Sequence, residues 1–184
     1  SGQLFLSGGT MTTAGGQALN LQGVDIGASG VSFDNVTMTA DAATNAVRVS
    51  NVGGTGAVSI NGGNLRSTDD AVLVENSPNV VIDGVEVESQ LGSAVMATYD
   101  AGDVDRTLTL DIDTGQEISV NVGGAATGAM NFTLADSDVA AVDFVATHTG
   151  DLNYTVTNTN FEGIVMLDAD NVGDVDISMN TLTA

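Results

Sequence analysis

Cysteine and tryptophan are both absent from the 184 residues, so a disulfide framework and a thiolate metal site are excluded. Lysine is missing as well. Three arginines (Arg48, Arg66 and Arg106) face 24 acidic residues, for a net charge of −21. Nucleic acids and anionic membranes need basic side chains to neutralise phosphate, so no nucleic-acid partner is expected. No apolar run approaches bilayer-spanning length, so no membrane insertion is expected either. The opening SGQLFLSGG lacks the basic start and long apolar centre of a signal peptide, and a mature product or an excised segment is expected. Aromatic residues are only 4% of the chain. Interior bulk must therefore come from Val, Ile, Leu, Met and Ala, which suits a narrow core.

What the chain has is a repeat. Turn residues precede a short apolar run at Gly30, Gly56, Asn79, Gly102, Gly128, Gly150 and Gly173, at intervals of 26, 23, 23, 26, 22 and 23 residues. Within each run the apolar residues alternate over three to five positions, which is strand period, and Gly, Asn and Asp fill the breaks. No helix is expected. Three inward ladders follow. The first is Leu6, Phe33, Ile60, Ile82, Leu110, Leu134, Val156 and Ile177. The second is Met11, Met38, Leu65, Val87, Ile112, Val139, Phe161 and Leu182. The third pairs Leu19/Leu21, Val47/Val49, Val72/Val74, Val95/Ala97, Ile118/Val120, Val142/Phe144 and Val165/Leu167. This predicts an all-β single-stranded parallel β-helix of about eight rungs of 22–26 residues. Each rung carries three short strands, and residues 1–184 form one solenoid domain. Asp100 to Glu117 fits the repeat worst, with an insertion before Leu108 and a shortened corner after Ile112.

The rung length, the three-strand pattern and segments such as STDDAVLVENSPNVVIDGVEV, Ser67 to Val87, resemble the right-handed parallel β-helix superfamily with the pectate-lyase-like fold. Bacterial surface adhesin and autotransporter passenger β-helices are the nearest in character. The resemblance implies a right-handed coil and a non-enzymatic structural or adhesive role, extracellular or at a bacterial cell surface. Extracellular carbohydrate or a surface protein are the partners it implies. The alternatives are a self-assembling head-to-tail filament subunit and a polysaccharide-binding or polysaccharide-degrading protein.

Specific residues bear on these alternatives. Asp69–Asp70 resembles the paired aspartates of polygalacturonase-type glycosidases, in which two carboxylates flank the scissile bond. That family's GHG and RxK segments are missing, and His148 lies rungs away. A lyase needs Ca²⁺ and a basic residue across a groove, and only Arg66 is near. The expectation is a corner pair without catalysis, and no required cofactor. The densest set of oxygen ligands is Asp168, Asp170, Asn171, Asp174 and Asp176 around Gly173. Alternating Asp around Gly can wrap Ca²⁺, which takes six to eight oxygens. Val172 sits at a ligand position and no Glu closes the loop, so an empty acidic corner is the competing reading. Asp100, Asp103 and Asp105 make a smaller loop of the same kind. Outward pairs Thr10/Thr12 and Thr37/Thr39 continue as Asn64/Arg66 and Glu86/Glu88, which breaks the uniform threonine ladder an ice-binding face requires. Leu73, Met96 and Met166 are expected to point outward as an apolar strip.

Neither end of the sequence shows an amphipathic helix or polar cap, although β-helix ends expose unpaired strand edges. Joined, ISMNTLTA and SGQLFLSGG resemble Phe33 to Gly54 and would make one rung. The chain is therefore expected to adjoin further β-helix rungs as a segment of a longer solenoid, or to stack on other copies of itself.

Overall fold

The computed structural model describes residues 4–114, 116–163, 165–170, 173–180 and 182, with only the backbone of Phe5 and Ala101. The described residues contain strands and no helix. Every strand pairing is parallel, and each joins one turn of the coil to the next. The first sheet stacks eight strands: Leu4–Leu6, Asp25–Phe33, Val58–Ile60, Asn79–Ser89, Arg106–Asp113, Met130–Ala135, Leu152–Thr157 and Val175–Asn180. The second stacks seven: Leu19–Gln22, Val47–Ser50, Val72–Glu75, Val95–Gly102, Glu117–Ala126, Ala141–Ala146 and Val165–Ala169. A third face branches from the first sheet. It runs through Thr10–Thr13, Asn35–Met38 and Gly63–Ser67, the far halves of Asn79–Ser89 and Arg106–Asp113, then Asp138–Val139 and Asn160–Phe161. The chain is thus a parallel β-helix. The eight rungs expected from the repeat are seven full turns plus one further strand, a rod about 34 Å long at about 4.8 Å per turn.

Stacking like on like builds the core. Ile60 sits between Phe33 and Ile82, and the column continues through Leu110, Leu134 and Val156. Ile60, Leu110, Leu134 and Val156 have no solvent exposure. The second-sheet ladder holds without a slip from Leu19/Leu21 to Val165/Leu167. Three expected neighbours are displaced by two residues. Leu6 pairs with Val31 instead of Phe33, and Ile177 with Tyr154 instead of Val156. Ile112 pairs with Val85 instead of Val87. A shift of two keeps every side chain on its own face, so the alternation alone does not forbid it. On the third face Met11 likewise meets Val36.

Aliphatic side chains line most of the interior, but three of the seven aromatic residues meet across two successive turns. Phe132 stacks on Tyr154 with centroids 5.1 Å apart, and Phe144 meets both edge-on at 5.3 Å. Both geometries suit the ring quadrupole. Tyr99 lies under the guanidinium of Arg106, 5.6 Å from the ring centroid. Burial pushes the Tyr154 hydroxyl up to about 12 and the Tyr99 hydroxyl further in the same direction.

Corners follow from the residues that tolerate left-handed backbone. Asn51, Asn76, Asp136 and Asn158 have φ between 46° and 50°, a region Asn and Asp adopt most readily among non-glycine residues. The residue after three of them turns a hydroxyl inward to satisfy the bend. Ser77, Ser137 and Thr159 donate to the carbonyls of Glu75, Ala135 and Thr157 at 3.0, 2.7 and 3.0 Å. Gly63 is required for a different reason: at φ 117° a Cβ there would lie 2.1 Å from the Val36 carbonyl oxygen on the neighbouring turn.

Candidate functional site

A groove of about 260 Å³ opens on the third face, lined by Glu86, Val87, Glu88, Asp113, Thr114, Gln116, Asp138 and Glu162. It forms because the third-face strands shrink from five residues at Gly63–Ser67 to two at Asp138–Val139 and Asn160–Phe161. The short corner after Ile112 is the local cause. Asp113 pairs with Asp138, and Thr114 N–H reaches the Asp138 carbonyl at 2.7 Å. Backbone register then stacks one outward column: Asn64, Glu86, Asp113, Asp138 and Asn160. The terminal amides grip the carboxylates next to them, Asn64 Nδ2 to Glu86 Oε2 at 2.8 Å and Asn160 Nδ2 to Asp138 Oδ1 at 3.1 Å. Behind the groove, Gln116 Oε1 accepts the Ser89 N–H at 2.9 Å. Five carboxylates and no basic group line this recess, so it repels anionic ligands.

A second acidic ridge borders the first sheet. Burial raises the Asp111 carboxyl above its ordinary 3.8, and Asp83 and Asp136 beside it add to the shift. Asp111 does not line the groove. A glycosidase separates the roles of its two carboxyls by holding one protonated. The carboxyl displaced in that sense here stands outside the concavity.

The residues singled out in the sequence lie apart. Asp70 Oδ1 accepts the Ser93 N–H at 2.8 Å, and its carbonyl accepts Asn45 Nδ2 at 2.9 Å. The Asp69 carbonyl accepts the hydroxyls of Ser67 and Ser89. The pair ties one corner to its neighbours. Arg66 reaches Asp41 at 3.0 Å and Glu88 at 3.1 Å. His148 is fully buried, with Nε2 3.2 Å from the Asp151 carbonyl oxygen. Asp168 is the penultimate residue of the strand Val165–Ala169 and pairs with Val145, and Asp170 donates its N–H to the Ala146 carbonyl at 2.9 Å. Asp174 donates its N–H to Asp151 Oδ1 at 3.0 Å, and Asp176 pairs with Asn153. Asn171 and Val172 lie outside the described residues. No three His, Asp or Glu side chains among the described residues are grouped to hold a metal ion. In the smaller loop, Asp105 Oδ1 accepts the Ala129 N–H at 2.9 Å. Leu73, Met96 and Met166 do point outward, in a column that Ser119 and Asp143 interrupt.

The groove was missed in the sequence. Its signal was the shortened corner after Ile112 combined with acidic residues at alternate positions 86 and 88 and again at 113, opposite Glu86 on the next turn. Compared with protein-family models, curated proteins and solved structures, the chain matches none.

Proposed function

We propose that the chain is a non-enzymatic structural and adhesive element of an extracellular or bacterial cell-surface protein, a rigid spacer that presents its faces to a surface. The observation that carries this reading is the unbroken register of the second-sheet ladder over seven strands. An interior filled with stacked side chains gives stiffness, and among the described residues the connections between strands are short, the longest spanning residues 39–46. The resemblance of Ser67 to Val87 to the pectate-lyase-like superfamily and to adhesin passengers points the same way. Stability in such a rod accrues turn by turn. The test is binding of the purified chain to intact bacterial cells and extracellular matrix, run beside turnover assays on polygalacturonate. Adhesion without turnover supports the reading, and turnover overthrows it in favour of the lyase or glycosidase alternative.

Head-to-tail stacking into a filament is a second reading, favoured by where apolar side chains lie open. Leu4 and Leu6 at one edge of the first sheet, and Val175, Ile177 and Met179 at the other, are 39–49% exposed. Both edges belong to one parallel sheet, so a neighbouring rung or a second copy would extend it without reversal. Light scattering against concentration distinguishes the two. A monodisperse monomer counts against the filament, and fibres of constant width support it.

A further inference from the structure

The first sheet carries an outward face unlike the rest of the surface. Ser32, Ser59, Val81, Thr109, Thr133, Thr155 and Ser178 stand side by side on successive turns. Two residues earlier on the same strands, Asn79, Thr107, Asn131, Asn153 and Asp176 form a parallel column. From Asn79/Val81 to Asn153/Thr155 the track carries no charge, in a chain of net charge −21. No register shift interrupts it between Arg106 and Asn180, so the columns run straight along the axis. The amides are held in place: Asn153 Nδ2 donates to Asn131 Oδ1 at 2.9 Å, and Asn131 Nδ2 to the Arg106 carbonyl at 3.1 Å. Acidic margins flank the track, with Asp83 and Asp111 after it and Asp105, Asp151 and Asp174 before it.

We propose that this track binds an extended, uncharged polysaccharide lying along the axis of the rod. Hydroxyls and amides both donate and accept, as sugar hydroxyls do, and the flanking carboxylates accept from hydroxyl donors in charge-assisted bonds. The same margins repel anionic glycans, and a cationic polymer would be drawn to the acidic groove instead. Charge complementarity therefore selects a neutral ligand. An extended glycan advances by close to one turn of the coil per sugar, so successive sugars meet equivalent groups. No aromatic side chain lies in the two columns to stack on a sugar face, so affinity comes from many weak contacts and grows with ligand length.

This deepens the adhesive reading by naming the ligand, and it can fail separately from it. The experiment is native affinity electrophoresis of the intact chain in gels containing xylan, laminarin or hydroxyethylcellulose, against polygalacturonate and alginate. Retardation by at least one neutral glycan and by neither anionic one is expected. The double variant Thr133→Glu/Thr155→Glu should weaken retention roughly tenfold or more, since each longer side chain removes a hydroxyl donor and stands in the path of a ligand lying on the track. The control Ser119→Glu/Asn121→Glu adds the same charge on the second sheet and should leave it unchanged. Circular dichroism reports whether both variants fold. Should the Thr133/Thr155 pair fail to fold, Thr133→Val/Thr155→Val, which keeps the side-chain shape, serves in its place. No retardation by any neutral glycan, equal retardation by the anionic ones, or equal loss in both double variants would overturn the proposal. Adhesion to cells without retardation would sink it and leave the adhesive reading standing.

Discussion

Replacing Phe132 by Ala should be among the most damaging single changes this chain can suffer, and Ile177→Ala among the mildest of the apolar ones. Phe132 is fully buried and touches Phe144 and Tyr154 with ring centroids 5.1–5.3 Å away. Truncating a buried Phe costs about 3–5 kcal/mol, because the surrounding turns relax only partly into the cavity. Ile177 belongs to the same interior but to the last described strand, and it is 49% exposed. Full burial of an Ile contributes about 1.5–3 kcal/mol, so truncation there should cost no more than about 1. At about 2–4 °C per kcal/mol for a chain of this size, the first variant should melt about 6–20 °C lower and the second within about 4 °C. Urea unfolding followed by circular dichroism checks the energies, and amide hydrogen exchange checks where they are felt. Faster exchange should centre on Met130–Ala135 and its two neighbouring strands in the first variant. If the two variants lost equal stability, or if exchange rose evenly along the rod, nearest-neighbour stacking would not be what holds the turns together.

Other outcomes follow from buried polar and crowded acidic groups. The Tyr154 hydroxyl is buried without a hydrogen-bond partner among the described residues, so Tyr154→Phe should be neutral or stabilising by about 1 kcal/mol in urea unfolding. Burial makes it a weaker acid in the folded state, with its pKa pushed up to about 12. The stability it confers is therefore complete below pH 10 and lost as pH rises toward 12, a loss that Tyr154→Phe should reduce in alkaline melts. The Asp111 carboxyl is raised above 3.8. Its contribution is full below that pH and declines as pH rises past it, so Asp111→Asn should stabilise the neutral protein and flatten the pH–stability curve above pH 4. Like charges directly opposite on neighbouring strands destabilise by roughly 0.2–1 kcal/mol each. Asp113→Asn should therefore raise the urea midpoint at low salt, by an amount that shrinks as salt screens the column. A Ca²⁺ titration with and without chelator tests the loop from Asp168 to Asp176: a melting temperature indifferent to both removes it as a calcium site.

The second-sheet ladder was legible because its strands keep strict alternation and near-constant spacing from Leu19 to Leu167, so one alignment satisfied all seven. The first and third faces were legible to within two residues. Hydrophobic alternation cannot tell Phe33 from Val31 as the neighbour of Leu6, since both point inward, and corner length makes that choice. The αL corners at Asn51, Asn76, Asp136 and Asn158 are local signals, and they were readable as breaks. The acidic groove is a property of neighbouring turns that differ in strand length, and no single turn displays it. The neutral track escaped notice for a related reason. The threonine pairs that stand out in the sequence lie beside the second ladder, where Arg66, Glu86 and Glu88 break the series, whereas the straight column runs through Thr109, Thr133 and Thr155 on the first sheet.

Because the backbone of each turn pairs only with the turn before and the turn after, and a contact such as Gln90 Nε2 to Asp41 two turns away lies on the surface, the molecule can change length without changing its cross-section. Excising one whole repeat, so that Val58–Ile60 abuts Arg106–Asp113, would bring Ile60 against Leu110 and leave every inward column intact. Removing half as many residues would set a first-sheet strand against a second-sheet one and ruin three columns at once. Growth and loss by complete repeats is thus the tolerated mode of variation. A shortened or lengthened rod would carry its surface tracks with it, trimmed or extended in proportion.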